Sequence, residues 1–423
     1  MSNGAITTQH VTCLGCGCTC DDIDIVVRDG RIAEARRACS LGVAWFGDGV
    51  VPAEIRSAGQ SVPLERALAD AAAMLTAARR VLVYLAPGIS CDAQRAATAI
   101  ADKLHAVVDS VSSTTVATGI LAAQRRGRVA ATFGEIRNRA DLLVYWAVDP
   151  AQRYPRFAER YGERAESPLL SAGRTVIAVD VGNRRGPASA GERIAFAGAD
   201  ESRAIHALRT LAAGHTAGDI AGDVTAPAAQ LANRIAVAHY AVIVYDAEPD
   251  GDESLAERAE SLTALAQSLN ARGRCSLCAL RAGGNRGGAE AVLTWQTGYP
   301  MTVDFSRGVP RYRPDDTGST MLRRGDVDVL LCVGDVAVMR GIEAGGGEAG
   351  GIEPGGVRRI VIGPRASAAT PAAAVAVDTG VAGIHAGGLA FRMDDMPLPL
   401  RPPLSGLLDP ATVLASLAAR VRA

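Results

Sequence analysis

The chain has 423 residues, 48% of them hydrophobic, so it is long enough to bury the cores of two or three domains. Its 44 lysines and arginines are balanced by 45 aspartates and glutamates, which argues against nucleic acid or a membrane surface as a partner. No apolar run approaches the roughly 20 residues that cross a bilayer, and the first ten residues lack the features of a signal peptide. We therefore expect a cytoplasmic protein.

The first distinctive segment is VTCLGCGCTCDD, at residues 11–22, which carries four of the nine cysteines. In a reducing compartment an odd number of cysteines is not a disulfide framework, so the segment favours metal binding. Thiolates at this spacing suit a [4Fe-4S] cluster or tetrahedral zinc, while unligated thiols in a retained loop remain the alternative. Cys18 is the spare, and the predicted ligands follow the spacing C-x2-C-x3-C-x18-C: Cys13, Cys16, Cys20 and Cys39.

The segment after the cysteines predicts a β-hairpin. Apolar residues alternate at Ile23, Ile25 and Val27, and Asp29-Gly30 supplies the turn. Residues 40–48, SLGVAWFGD, predict a short helix or turn. Together these elements indicate a small cysteine-lined β module.

Beyond the module, apolar runs alternate with alanine-rich segments that have helical periodicity, such as 90–105 and 201–213. Runs of this kind are typical of buried parallel strands, because helices cover both faces of the sheet. The pattern predicts an α/β fold with two Rossmann-like parallel sheets in tandem, where ligands bind beyond the carboxyl ends of strands. Six runs rich in valine and isoleucine end in a Gly, Asp or Pro turn: 79–88, 140–150, 174–182, 240–250, 326–335 and 358–364.

Two glycine-rich stretches are predicted to be loops. Residues 341–359 hold eight glycines and one proline, as expected of a surface connection. Residues 281–290, RAGGNRGGAE, are short enough for a plain turn, although their glycines would also let amides approach a phosphate. The pair Cys275 and Cys278 lies in an apolar run and is expected to belong to a core.

Residues 13–39 resemble the start of the B subunit of formylmethanofuran dehydrogenase, a short relative of molybdopterin oxidoreductases. The resemblance continues in order through SCDAQRAA, GEIRNRADLLVYW, TWQTGYPMTVDFSRGVPRY and FRMDDMPLPLRP, and so covers nearly the whole chain. It implies a chain that lacks the C-terminal pterin domain, which a partner subunit supplies. The expected parts are an iron–sulfur module at 1–55, a first α/β domain at 56–110 plus 301–423, and a second at 111–300.

The chain departs from this family where its redox chemistry takes place. Active relatives have a Ser-Val-Cys-His-Gly segment whose cysteine ligates tungsten or molybdenum. The matching residues 109–124 contain no cysteine or histidine, and Thr115 or a near neighbour takes the ligand position. A threonine hydroxyl is a poor ligand for a soft metal. The family's His-Pro-Arg-His is YPRF here, at residues 154–157, so we expect no catalytic residue and no tungsten or molybdenum pterin.

These departures resemble one bacterial branch, the B subunit of the formyltransferase/hydrolase complex. The resemblance implies a non-redox, structural subunit of a complex that converts formyl-tetrahydromethanopterin to formate by way of methylofuran, in the formaldehyde oxidation of methylotrophs. The implied partners are an amidohydrolase-like A subunit, a C subunit and the D formyltransferase, with methylofuran held on a partner subunit.

Two alternatives remain open. The first is an active tungsten or molybdenum dehydrogenase in which Thr115, Ser112 or Ser113 ligates the metal. The second is a binding module for a nucleotide-like ligand in the residual pterin cleft, with the GGNRGG loop and Asp180 as candidate contacts.

Overall fold

The structure is a computed structural model of the chain and describes residues 5–162, 170, 173–215, 223–248, 256–335 and 356–422. The chain divides into two compact units. Unit 1 comprises Met1–Thr115, Gly283–Arg392 and Pro397–Ala423, and unit 2 comprises Val116–Ala282 and Met393–Met396. The finer division into three segments stays a prediction.

Unit 1 begins with a small antiparallel sheet in the order β1-β2-β3. Its strands are β1 (Ile6–Val11), β2 (Ile23–Arg28) and β3 (Arg31–Arg36). Asp29 and Gly30 connect β2 to β3 with φ values of 49° and 73°, and two positive φ angles suit a tight hairpin turn. Helix α1 (Ser40–Phe46) follows. The predicted hairpin and the predicted short helix are both confirmed.

The remaining strands form the two large sheets and a two-stranded hairpin. In chain order they are β4 (Ile55–Ser57), β5 (Gln60–Ser61), β6 (Val81–Leu85), β7 (Val107–Ser110), β8 (Leu142–Trp146), β9 (Thr175–Val181), β10 (Glu192–Phe196), β11 (Ala241–Asp246), β12 (Cys275–Leu280), β13 (Val303–Asp304), β14 (Arg311–Tyr312), β15 (Val329–Val333), β16 (Arg358–Gly363), β17 (Val375–Asp378), β18 (Gly388–Phe391) and β19 (Pro397–Leu400).

The remaining helices flank these sheets or cap their ends. They are α2 (Leu64–Thr76), α3 (Cys91–Lys103), α4 (Ser112–Thr115), α5 (Ala117–Arg126), α6 (Phe133–Arg139), α7 (Glu201–Ala212), α8 (Thr225–Val237), α9 (Ala256–Leu269), α10 (Arg286–Thr297), α11 (Gly318–Arg323) and α12 (Pro410–Arg420). Across the part of the chain that the structure describes, no helix is both long and apolar enough to cross a membrane.

The main sheet of unit 1 has the order β14-β13-β7-β6-β15-β16-β17-β4-β5. Its five central strands are parallel, and its outer strands pair antiparallel. Val83 and Leu85 of β6 enter one core and Leu82 and Tyr84 enter another, which explains the unbroken apolar run. The antiparallel edges were not expected, because strands of two or three residues show no periodic pattern.

The sheet of unit 2 has the order β10-β9-β8-β11-β12, and every pair in it is parallel. The chain runs outward from β8 in both directions, so the switch point lies between β8 and β11. The predicted α/β class, with a small β module and two sheets with parallel centres, is confirmed.

Two predicted loops have different outcomes. Helix α10 begins at Arg286, inside the stretch 281–290 that was expected to be a loop throughout. The loop predicted for 341–359 lies outside the described residues from 341 to 355.

Candidate functional site

The cysteine loop, residues 12–22, joins β1 to β2 in unit 1. The main-chain N–H of Cys13 donates to the carbonyl oxygen of Cys20 over 2.9 Å and thereby ties the ends of the loop. Inside the loop the N–H of Thr19 donates to the carbonyl of Cys16 over 3.1 Å, and Thr19 has a left-handed φ of 40°. These bonds fold the segment into a compact, largely buried turn.

A second segment brings Cys39 to the same part of unit 1. Cys39 directly precedes α1, and Gly42 lies in the first turn of that helix. A methyl group added at Gly42 would lie 3.5 Å from Cys13 Sγ and 3.9 Å from Cys39 Sγ. The two sulfurs therefore flank one point on α1, where an added methyl group would also lie only 3.2 Å from the Cβ of Ala38.

The environments of the thiols differ. Burial raises the pKa of Cys13 far above its ordinary value. The N–H of Gly15, which donates to the Cys13 sulfur, lowers this pKa, whereas negative charge on the other three predicted ligands raises it further. The pKa of Cys16 is lowered to about 7, because the Cys18 thiol donates to it and the N–H groups of Cys18 and Thr19 outweigh burial. Cys18, the spare of the spacing, is thus the hydrogen-bond partner of Cys16.

The arrangement fits a metal only in part. No disulfide joins any of the nine cysteines, and no three His, Cys, Asp or Glu side chains among the described residues converge closely enough to hold a metal ion. Cys13 and Cys20 are buried while Cys16 and Cys39 are half-buried, and Cys16 pairs with Cys18. The ligand set therefore stays a prediction: Cys13, Cys16, Cys20 and Cys39.

The GGNRGG segment packs against the cysteine loop. A methyl group at Gly283 would lie 2.8 Å from the Cα of Cys16, and closer still to the carbonyl oxygen of Leu14. The N–H of Gly284 donates to that same carbonyl over 3.0 Å, and its φ of 82° favours glycine. These glycines let two backbones approach closely, and the Gly284 amide is used in that contact.

Asn285 fixes the position of this segment. It is 2% exposed and adopts a φ of 61°. Its Nδ2 donates to the carbonyl of Ile89 over 2.8 Å, and its Oδ1 accepts from the N–H of Phe391 over 2.7 Å. The amide of Gln94 donates to its carbonyl over 3.1 Å. Asn285 therefore joins three segments of unit 1, a role that the sequence did not reveal.

Helix α4 follows β7 and carries Thr115, which the resemblance to the family places at or near the position of the metal ligand. The Thr115 hydroxyl donates to the carbonyl of Val111 over 3.2 Å, and Arg286 Nη1 lies 3.5 Å from the same hydroxyl. The Ser112 hydroxyl donates to the Glu290 carboxylate over 2.6 Å. Both hydroxyls are thus engaged within unit 1.

Asp109, near the end of β7, holds the loop after β7 in place through hydrogen bonds. It is fully buried and accepts from Ser113 Oγ over 2.7 Å, from Thr302 Oγ1 over 3.0 Å and from the N–H of Gly318 over 2.6 Å. Burial raises the pKa of this carboxyl, although these hydrogen bonds oppose the shift. Sequence reasoning missed Asp109; an acidic residue that closes an apolar strand was the available signal.

In unit 2, the YPRF segment lies in an aromatic cluster. Tyr154 and Phe157 are 1% and 0% exposed. The ring of Phe157 packs against three neighbours, with centroid distances of 5.4 Å to Phe133, 6.0 Å to Tyr161 and 6.4 Å to Tyr145. The two positions at which the resemblance implies imidazoles are therefore buried, and Phe157 lies within the aromatic cluster.

The chain is similar to known proteins. No family model matches the chain. The chain is 28% identical over 435 residues to the B subunit of tungsten-containing formylmethanofuran dehydrogenase 2 of Methanocaldococcus jannaschii, and 27% identical over 431 residues to that of Methanococcus maripaludis. Each alignment covers 98% of both proteins. The chain is a homologue of the formylmethanofuran dehydrogenase B subunit.

This B-subunit homologue is also similar to bacterial proteins. It is 31% identical over 256 residues to the B subunit of the formyltransferase/hydrolase complex of Methylorubrum extorquens, an alignment that covers 58% of this chain and 65% of the relative. A chain in the crystal structure of that organism's complex with methylofuran superposes with a TM-score of 0.69. That chain is 24% identical, and the match covers 86% of this chain and 98% of the other. The structural match supports the fold.

In this B-subunit homologue, Asp180 of unit 2 is engaged by neighbouring groups. Its carboxylate accepts from Arg193 over 2.6 Å, from the N–H of Gly186 over 2.9 Å and from Arg185 over 3.0 Å. Burial alone raises the pKa of Asp180, but these hydrogen bonds hold it below its usual range. Both candidate contacts for a nucleotide-like ligand, Asp180 and the GGNRGG loop, thus have structural partners, and that hypothesis stays untested.

Proposed function

We propose that this chain is a non-redox, structural B subunit of a cytoplasmic formyltransferase/hydrolase complex. The complex converts formyl-tetrahydromethanopterin to formate by way of methylofuran, in the formaldehyde oxidation of a methylotroph. An amidohydrolase-like A subunit and a D formyltransferase carry the reactions, methylofuran is held on a partner subunit, and this chain assembles with them and with a C subunit.

The observation that carries the proposal is the state of Thr115. Its hydroxyl satisfies the Val111 carbonyl, and an alcohol that remains protonated near neutral pH is a poor partner for tungsten or molybdenum. A thiolate in the same place would bind such a metal strongly. The loss of one sulfur atom thus removes the protein's anchor for the redox centre.

The aromatic cluster of unit 2 supports the same reading. Phe157 is fully buried among Phe133, Tyr145 and Tyr161, with ring contacts at ordinary packing distances. A pocket that serves metal chemistry needs polar groups and space. Here the position is filled by packed aromatic rings, as expected of a subunit that keeps its fold without the redox reaction.

The proposal is tested on the complex purified with this chain as its B subunit. We expect formate release from formyl-tetrahydromethanopterin, and no reduction of benzyl viologen by formate. Omitting the chain should prevent assembly of the remaining subunits. Viologen reduction that depends on this chain would overturn the proposal.

The cysteine site is proposed to retain a [4Fe-4S] cluster or zinc without a redox reaction to serve. Support comes from the spacing of the four cysteines and from the approach of the Cys13 and Cys39 sulfurs to the same point at Gly42. Cys39→Ser should then abolish iron or zinc binding, whereas Cys18→Ser, the matched control, should retain it. Equal metal content in both variants, or none in the wild type, contradicts the proposal.

The first alternative, an active dehydrogenase, is less well supported, because its tungsten-containing relatives are only 28% and 27% identical to the chain. These relatives align over 98% of the chain, whereas the bacterial relative aligns over 58%. In an active dehydrogenase Thr115, Ser112 or Ser113 ligates the metal, and Thr115→Ala or a serine variant abolishes viologen reduction. An unchanged formate release in all three variants argues for the structural role.

A further inference from the structure

A groove of about 330 Å³ lies at the amino ends of β6 and β7, the edge of the unit 1 sheet opposite to α4. Ligand pockets in proteins begin at roughly this volume, about 300 Å³. The groove is walled by the carboxyl-terminal ends of α2 and α3 and by residues near β13. It belongs entirely to unit 1 and is independent of the proposed function.

The groove collects positive charge that has no internal counter-ion. Arg79, Arg80 and Arg422 are exposed along its wall, and among the described residues none of their guanidinium groups has an ion-pair partner. The carboxylate that lines the groove, Asp304, is neutralised by Arg311, whose Nη2 lies 2.9 Å away. The three arginines are therefore available to a ligand.

Within the described residues, the nearby carboxylate of Asp328 does not form ion pairs with these arginines. Asp328 accepts from the main-chain N–H groups of Arg79 and Arg80, over 2.9 Å and 2.8 Å. Its hydrogen bonds therefore come from the backbone, and no ion pair joins it to either guanidinium in the described part of the chain. The side chains of both arginines remain free to reach into the groove.

The ends of α2 and α3 offer a competing explanation for the cations, because basic residues often complement the negative end of a helix. Each helix end is equivalent to about half a negative charge. Two ends thus supply about one negative charge, against three guanidinium groups. Complementing the helices leaves an excess of positive charge in the groove.

His105 adds a polar group at the same place. It follows the end of α3 with a φ of 50°, in the left-handed region that favours glycine. Its N–H donates to the carbonyl of Asp102, and the next N–H, of Ala106, donates to Ala101, which closes the helix. An imidazole therefore stands in the groove at a position where glycine would be less strained.

We propose that this groove binds a compact polyanion, a small molecule that presents two or more phosphate or carboxylate groups. Arginine forks match such groups in pairs, and three of them around one concavity suit a ligand with several adjacent charges. The concave shape favours a small molecule over a flat partner surface. His105 donates or accepts one further hydrogen bond at the rim.

The test is calorimetric titration of the full chain with pyrophosphate, and separately with citrate, at low ionic strength. We expect saturable binding of at least one, weakened about tenfold or more in Arg79→Gln/Arg80→Gln and progressively by added salt. The matched control is Arg137→Gln/Arg139→Gln, which removes the same charge from α6 of unit 2 and should leave binding unchanged.

Each result decides a point. Preference for pyrophosphate identifies a phosphate ligand, and preference for citrate identifies a carboxylate ligand. Binding of neither anion, or equal weakening by the control pair, overturns the proposal, since the arginines then only complement the helix ends or face a macromolecule. Circular dichroism of each variant establishes that it has folded.

Discussion

The two loops of unit 1 that the sequence analysis singled out, the cysteine loop and the loop after β7, are held in place in different ways. The cysteine loop carries three of the four predicted ligands, the segment before α1 carries Cys39, and a backbone hydrogen bond ties the ends of the loop. The loop after β7 contains no thiol, and its hydroxyls bond to neighbouring groups. The GGNRGG segment holds the cysteine loop through close backbone contacts, while Asp109 holds the loop after β7 through the side chain of Ser113.

This difference indicates how strongly each loop's packing limits changes in its sequence. The backbone of the cysteine loop lies against another backbone, so this loop tolerates few changes. The loop after β7 is held by the buried carboxylate of Asp109, so it tolerates new side chains at positions that do not contact Asp109. The cysteines therefore report packing constraints as much as metal binding.

The largest effect is expected at the backbone contact. Gly283→Ala places a methyl group against Leu14 and Cys16, where no flexible side chain can move aside, and should lower the free energy of unfolding by about 3 kcal/mol or more. Gly287→Ala is the control, because its nearest neighbour, Phe391 Cβ, would lie 3.6 Å away. Denaturant unfolding compares the two, and equal stabilities would contradict the packing account.

A somewhat smaller effect is expected where imidazoles were replaced. Phe157→His puts a polar ring into the aromatic cluster without a hydrogen-bond partner, and should cost about 2–3 kcal/mol of stability. Phe157→Leu keeps the site apolar and should cost less. If histidine is tolerated as well as leucine, the cluster is not the repacked core described above.

The attachment of the cysteine module is expected to depend on pH. His385 Nδ1 accepts from the N–H of Val381 over 3.2 Å, and its Nε2 faces the carbonyl of Gly49 at 2.8 Å. Burial lowers the pKa of His385, despite the bond to Gly49, and the charge of Arg365 lowers it further. Protonation would also break the bond from Val381.

The direction of this effect follows from the lowered pKa. In the unfolded chain His385 binds a proton near pH 6.5, and in the folded chain it does so only at lower pH. The stabilisation of the fold by neutral His385 is therefore complete above pH 6.5 and is lost as the pH falls below 6.5. Melting temperatures at pH 8.0 and 5.5 should therefore differ more for the wild type than for His385→Gln. An equal difference would show that His385 does not contribute.

The smallest effect is expected at the former ligand position. Thr115→Ala removes one hydrogen bond to the Val111 carbonyl from a short helix, and should cost no more than about 1 kcal/mol. Formate release by the complex should be unchanged. A loss of activity without a loss of stability would mean that Thr115 has a chemical role.

Much of the fold was predictable because buried parallel strands are continuous apolar runs. The segments around β6, β8 and β15 were all expected from apolar runs that end in a Gly, Asp or Pro turn. The edge strands were missed because two or three residues contain no pattern. The start of α10 was missed because its first turn contains two glycines, which local propensity assigns to a loop.

The site was predictable only where spacing carries information. Cysteine spacing located the loop, but it did not reveal that Cys18 pairs with Cys16, since that depends on rotamers. Nor did it reveal Asp109 or Asn285, whose partners are distant in sequence. Contacts between remote segments depend on the fold and are not visible in local motifs.

The most direct test of the central claim is the metal content of the complex purified without oxygen. We predict no stoichiometric tungsten or molybdenum and no extractable pterin, with iron near four per chain, or zinc near one, held by the cysteine loop. One tungsten or molybdenum per chain, together with a pterin, would contradict the claim.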